Sequence, residues 1–205
     1  MASNEVPGTA GADYAERLQR LETARWKRIL DVQAPYRWNL RRLELGRTLD
    51  VGCGIGRNLS HLSDGKNPAP VGVDHNPTSV QLARERGFSA YTVDEFHRSE
   101  DAHPDAFDAI LASHLVEHLQ EPDAKAVLDS YLPYLRSGGR VVFITPQEKG
   151  FATDATHVRF SGFDEVSALA RDAGLTVVKK YSFPFPRFVG KVFAYNEFVV
   201  VTRKP

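Results

Sequence analysis

Cysteine is almost missing from this chain: one residue, Cys53, in 205. An internal disulfide is therefore excluded, and so is a structural zinc site built on several thiolates. No stretch approaches the ~20 apolar residues that span a bilayer. Residues 1–11 show neither the basic segment nor the apolar core of a secretory signal, so the expected place is the cytoplasm, with no membrane partner. An excess of one charge is lacking too, because 26 Lys and Arg balance 26 Asp and Glu. A general binder of nucleic acid needs a basic surplus, and none is expected as a partner. Against these absences stand 42% hydrophobic and 25% charged residues, the mix of one globular domain of ordinary size.

Residues 1–12 are small and polar and read as a disordered tail. Residues 13–205 read as one domain, opened by a helical lid over about 13–44. The spacing of Tyr14, Leu18, Leu21, Trp26 and Ile29 predicts a helix to about Leu30, broken by Ala34-Pro35. Beyond it, short apolar runs alternate with helical patterns. Strands are predicted at 48–51, 71–74, 90–93, 107–112, 141–145, 175–181 and 192–202. Helices are predicted from the glycine cluster to about Leu62, over 77–86, over 122–136 with Gly138-Gly139 as its stop, and from Ser161-x-x-Asp164 to Gly174. The alternation implies an α/β fold with a mainly parallel sheet and helices on both faces. Ligands of such sheets bind beyond the carboxyl ends of the strands.

The sharpest local signal is Leu49-Asp-Val-Gly52-Cys-Gly54-Ile-Gly56-Arg-Asn58, where a strand turns into a helix. Its glycines let the backbone bend tightly and approach a ligand closely. The dinucleotide fingerprint G-x-G-x-x-G is not met: counted from Gly52 the sixth place is Arg57, and from Gly54 it is Leu59. A nicotinamide oxidoreductase is thereby disfavoured. Asp74 ends the next strand, where a carboxylate can accept both hydroxyls of a ribose. Asp50, just before the loop, suits a cationic ligand. Cys53 reads as a packing residue rather than a nucleophile.

Four segments together resemble the class I S-adenosylmethionine-dependent methyltransferases. They are Leu49–Gly56, Val71-Gly-Val-Asp74, Phe107-Asp-Ala-Ile-Leu-Ala-Ser113 and Leu135-Arg-Ser-Gly-Gly-Arg-Val-Val-Phe143, in that family's order over roughly 45–202. The resemblance implies a Rossmann-like, doubly wound sheet of seven strands with an antiparallel last strand. It implies S-adenosylmethionine as cofactor and S-adenosylhomocysteine as product. By position, Asp50, Gly52, Cys53 and Gly54 would lie against the cofactor. Asp74 would hold the ribose, His75 or Asn76 would lie beside the adenine, and Asp94 near its amino group. Ser113 and His114 would lie near the sulfonium, while Tyr14 and Arg37 would serve as a lid and a carboxylate anchor.

Methyl transfer to an alcohol needs a base for its proton, and histidine titrates in the right range. Of seven histidines, His114, His118 and His157 fall in loops expected at the carboxyl edge. His118, in Leu115-Val-Glu-His-Leu119, reads as substrate-binding or as packing beside the fourth strand. His157 is the favoured base. Its segment, Asp154-Ala-Thr-His157-Val-Arg159-Phe160, resembles a D-x-T-H-x-R stretch of small methyltransferases of polysaccharide and cell-envelope pathways. Asp154 would orient the imidazole, and Arg159 and Phe185 would hold the acceptor. Mg2+ on Asp154 with His114 or His157 is a further expectation that no spacing demonstrates. The aromatic loop Phe183-Pro-Phe-Pro-Arg-Phe188 suits either a sugar face or a homodimer contact.

These features point to an O-methyltransferase for a small hydroxylated molecule, a sugar or glycoside in class. Carbon, nitrogen or carboxyl methylation of a lipid, quinone or other small metabolite remains open. So does a cofactor-binding regulator without turnover, although its hallmark, a degraded glycine loop, is missing.

Overall fold

Alternation decides which way each strand of this chain faces. Leu49 and Val51 point to one side of their strand and Asp50 to the other, and all three are buried, so both faces of the sheet are covered. The computed structural model describes residues 33–63, 65 and 68–205. The expected tail, the helix over 13–30 and Tyr14 lie outside the described residues.

The elements follow in order: α1 (Ala34–Arg41), β1 (Thr48–Val51), α2 (Arg57–Leu62), β2 (Val71–Asp74), α3 (Pro77–Glu85), β3 (Ser89–Thr92) and α4 (Val93–Phe96). Then come β4 (Phe107–Ser113), α5 (Glu121–Tyr131), β5 (Leu135–Pro146), α6 (Glu148–Phe151), α7 (Phe163–Asp172), β6 (Thr176–Phe183) and β7 (Glu197–Arg203). A short 3-10 turn, Val116–His118, follows β4. The strands form one sheet in the order β3-β2-β1-β4-β5-β7-β6. β7 runs antiparallel to both β5 and β6, while the other pairs are parallel. This is the Rossmann-like α/β sheet expected. One consequence matters for the site: the first residue of β7, Glu197, lies at the edge where the parallel strands end.

On one face Leu49, Val51, Val73, Ile110, Val141 and Phe143 pack with Leu128 and Tyr131 of α5 and Val166 and Leu169 of α7. On the other, Leu111, Val142, Ile144, Val199 and Val201 pack with Leu40 of α1 and with Leu45. Among the described residues no helix is long and apolar enough to cross a membrane.

Some boundaries differ from expectation. Ala34-Pro35 does not merely break a helix; it opens α1, because proline tolerates the first turn, where its missing N–H has no partner to lose. Residues 122–136 are not one helix: α5 ends at Tyr131, a 3-10 turn carries Pro133, and β5 already begins at Leu135. Gly138-Gly139 therefore sits in an irregular stretch of strand where the register against β4 shifts. Val93 opens α4 instead of ending β3, since Thr92 caps that turn in a box with Glu95. The cap of α7 is Gly162, whose N–H donates to Glu165 Oε2 at 3.1 Å, rather than the Ser161/Asp164 pair.

Candidate active site

The glycine loop leaves β1 and passes under the segment that follows β4. Gly52, Gly54 and Gly56 all adopt positive φ (79°, 53° and 85°), a region that favours glycine. A Cβ on Gly52 would lie 3.1 Å from Leu115 Cδ1, so this backbone is covered closely by the post-β4 segment. Asp74, nearly buried, reaches back from β2 to the loop. Its Oδ2 accepts from the Gly54 N–H and its Oδ1 from the Asn76 N–H, both at 2.8 Å. A carboxylate has about four acceptor positions, so two remain for a ligand's hydroxyls.

Asp50 is fully buried, and neither of its carboxylate oxygens accepts a hydrogen bond. Burial pushes its pKa up to about 7, against the opposing influence of Asn58. An orphaned acid under a glycine loop is what a cationic cofactor would relieve. With Asp74 it makes this end of the sheet fit S-adenosylmethionine. His75 is half-exposed, with Nδ1 3.4 Å from Asp74 Oδ1. Ser113 is buried at the end of β4.

Other expected cofactor residues are placed differently. Asn76 caps α3, its Oδ1 accepting from the N–H groups of Thr78 (3.0 Å) and Ser79 (3.3 Å), so that oxygen is committed to the helix. Cys53 turns its sulfur into the core, where it limits the space over Gly72. Burial raises the thiol well above its ordinary pKa, which suits packing rather than chemistry. Asp94 is exposed in the first turn of α4. Arg37 lines a cleft with Ala34, Trp38 and Arg41 of α1 and with Arg42 just after it.

The histidines form two groups. His114 adopts φ 54°, unusual for a residue with a Cβ. Its N–H donates to the Ile144 carbonyl at 2.8 Å. Its Nε2 lies 2.9 Å from Glu197 Oε1, and its Nδ1 lies 3.2 Å from Glu117 Oε1. Desolvation lowers its pKa, but the two carboxylates outweigh that and bring it to about 9. At neutral pH it is a cation held between two carboxylates, with no lone pair to offer. The expectation of His114 as a base is corrected accordingly: it ties β4 to β7.

His118 and His157 form the second group. Backbone bonds from Val158 (2.9 Å) and Arg159 (3.2 Å) to the Glu117 carbonyl dock the 154–160 loop on the 3-10 turn. The two rings come within 4.8 Å, centroid to centroid. His157 Nδ1 lies 2.8 Å from the Phe151 carbonyl, and His118 Nδ1 lies 3.1 Å from the Thr156 carbonyl. A carbonyl only accepts, so each Nδ1 carries a proton, and the lone pair of the neutral tautomer falls on Nε2. Desolvation lowers the pKa of His118, and the nearby Glu117 opposes that shift. Around the expected Asp154–His157 pair the loop has its own bonds. Asp154 Oδ1 accepts from the Thr156 N–H and hydroxyl, shaping the loop, and the Phe151 carbonyl orients His157 at Nδ1. Arg159 is paired with Glu121 at 3.0 Å rather than standing ready for an acceptor. Phe185 is half-exposed and edge-on to Phe193.

Sequence reasoning missed Glu117, Glu197 and Tyr36. The first sat unremarked in the Leu115–Leu119 stretch. Glu197 has no linear signal, because only antiparallel β7 brings it to His114. Tyr36, whose hydroxyl donates to the Tyr195 carbonyl at 2.5 Å, lies on the helix read as a break.

A family model described as a methyltransferase domain matches residues 14–180. The chain is similar to a 27-O-demethylrifamycin SV methyltransferase of Amycolatopsis mediterranei, 29% identical over 147 residues, covering 63% of this chain and 53% of the relative. It is also similar to a ubiquinone biosynthesis O-methyltransferase of Pectobacterium atrosepticum, 31% identical over 104 residues, with 48% and 42% covered. A phosphoethanolamine N-methyltransferase 1 of Zea mays is 27% identical over 125 residues, 58% of this chain and 25% of that one. The chain thus spans about half the length, or less, of these curated relatives. Among solved structures, magnesium protoporphyrin IX methyltransferase from Synechocystis, with bound S-adenosylhomocysteine, shares the fold at TM-score 0.68 and 12% identity over 96% of this chain and 97% of that one. A methyltransferase from Archaeoglobus fulgidus does so at 0.66 and 19% over 82% and 93%. With its glycine loop, its acidic β2 end and a family match over most of its length, this chain belongs to the methyltransferase-domain family, on the class I S-adenosylmethionine-dependent fold.

Proposed function

We propose that the protein methylates a hydroxyl of a small molecule, in class a sugar or glycoside. S-adenosylmethionine, when bound, supplies an electrophilic methyl group on a sulfonium. The chain's own residues must hold the cofactor, align the acceptor oxygen and help it lose its proton. Asp74 holds ribose hydroxyls with its two unused acceptor positions, and its orientation is set in advance by Gly54 and Asn76. Asp50 places buried negative charge beneath the loop for the cationic end of the cofactor. Leu115 lies against Gly52 and links the loop to the 3-10 turn.

The observation that carries the hydroxyl reading is the His118–His157 pair. Two imidazoles, each fixed by a backbone carbonyl, present Nε2 lone pairs, one on the 3-10 turn after β4 and one on the 154–160 loop docked against it. Lone pairs there serve an alcohol, as a base or as ligands for a cation that acidifies it. The sugar class is supported by the 154–160 stretch and its resemblance to polysaccharide-pathway enzymes. The exposed Phe185, Phe188, Val192 and Tyr195 offer apolar surface for a homodimer.

Two measurements test the reading. Calorimetric titration with S-adenosylhomocysteine should show saturable binding, and a panel of hydroxylated sugars and glycosides should reveal turnover. His157→Ala should leave product affinity unchanged and lower turnover ~10²–10⁴-fold, the usual range for losing a proton-transfer group. Unchanged turnover would remove His157 from the chemistry. Absence of S-adenosylhomocysteine binding would remove the whole reading, and binding without any acceptor would favour a regulator.

A further inference from the structure

We infer that Glu117, His118 and His157 form a binding site for a divalent first-row transition-metal cation, open on one side to an acceptor hydroxyl. The hydroxyl part rests on the proposed function; the ion site rests on side-chain geometry.

One ligand atom from each of the three residues lies within 4.8 Å of the others. The rings are already presented as metal-binding imidazoles are. Each Nδ1–H is held by a backbone carbonyl, which fixes the tautomer and aims the lone pair of Nε2. Phe151 stacks on His157 at 5.2 Å and 22°, fixing the ring plane.

Glu117 supplies the second, independent observation. It is fully buried, and neither of its oxygens accepts a hydrogen bond. Its neighbouring charge is His114, which Glu197 shares at a shorter distance. Buried carboxylates are costly unless paired or bound to a metal. A divalent cation between Glu117 and the two imidazoles would give this buried carboxylate a partner.

Two nitrogens and one carboxylate select the kind of ion. Imidazole suits zinc, cobalt, iron and their neighbours, whereas Mg2+ prefers an octahedron of oxygens. The expected Mg2+ ligands fare poorly as a set: Asp154 Oδ1 is turned to Thr156, and His114 is held by two acids, so only His157 is common to both. With bonds of about 2.1 Å, neighbouring ligand atoms stand roughly 3–3.5 Å apart, so the widest gap in the site closes by up to about 1.5 Å on loading. Three protein ligands leave a position for an alcohol oxygen, whose proton the cation makes easier to lose.

The test uses the full chain, stripped of metal with a chelator. Added Co2+ should give a saturable visible absorption band at one ion per chain, displaced by Zn2+, with Mg2+ at least tenfold weaker as a competitor. His118→Ala and His157→Ala should each weaken Co2+ binding at least ~100-fold while thermal melting and S-adenosylhomocysteine affinity stay at wild-type values. Glu117→Gln should weaken it too. No saturable band, a band indifferent to both histidine substitutions, or Mg2+ competing as well as Zn2+ would overturn the proposal. The two readings fail separately. Co2+ binding without methyl transfer removes the proposed function and leaves the site, whereas methyl transfer by a chain that binds no cation does the reverse.

Discussion

Replacing Asp74 by asparagine keeps the side chain's shape and removes its charge. In the native chain this carboxylate accepts two backbone N–H bonds at 2.8 Å, one from Gly54 in the loop and one from Asn76 at the head of α3. Hydrogen bonds to a charged partner contribute about 1.5–3 kcal/mol each. An asparagine oxygen can keep one of these two, but its NH2 then faces the other N–H, donor against donor. Loss of the second bond alone should cost about 1–3 kcal/mol of stability. The ligand loses more. Two ribose hydroxyls donating to the remaining acceptor positions represent roughly 3–6 kcal/mol, or about 10²–10⁴ in affinity at 1.4 kcal/mol per tenfold. Urea denaturation gives the first figure and calorimetry with S-adenosylhomocysteine the second. Asp74→Asn should therefore remain folded and bind product at least ~100-fold more weakly. Product affinity within threefold of wild type would refute the assignment of Asp74 to the ribose.

Two further predictions concern the same end of the sheet. Asp50 has a folded pKa of about 7 against an ordinary 3.8, so the unfolded chain ionises first as pH rises. Stability should fall between about pH 4 and pH 7 and level off above, by at most about 4 kcal/mol from this residue. Asp50→Asn should lack that slope in urea titrations at pH 4.5, 6 and 7.5, and parallel profiles would refute the buried, orphaned state. A Cβ on Gly72 would lie 2.7 Å from Cys53 Sγ and 2.8 Å from Leu59 Cδ1. Gly72→Ala should cost about 1–3 kcal/mol by overpacking, and adding Cys53→Ala should return part of it; strict additivity in the double mutant would show that the sulfur is not the obstacle.

Local order carried the recognisable part of this protein. Gly52, Gly54 and Gly56 need positive φ wherever the fold places them, and a strand ending in Asp74 follows at the spacing of one βαβ unit. The helix predicted over 77–86 forms as α3, capped by Asn76, because a cap is satisfied within three residues. The helix predicted over 122–136 overran Tyr131 because proline, here Pro133, tolerates a turn before a strand as readily as a place in a helix. Likewise the Asp154–His157 pairing read along the chain gave no sign of Thr156, whose N–H and hydroxyl donate to Asp154 Oδ1.

Sheet class, cofactor loop and the histidine-rich segments could thus be read from residues near one another in the chain, since turns, caps and glycine conformations are local requirements. The partners of those histidines could not. Glu197 meets His114 across 83 positions of sequence because β7 alone runs backwards beside β5, and the Phe151 carbonyl reaches His157 only once its loop is docked on Glu117. Charge and tautomer depend on which groups surround an imidazole in three dimensions, and side-chain spacing along a chain carries no information about that.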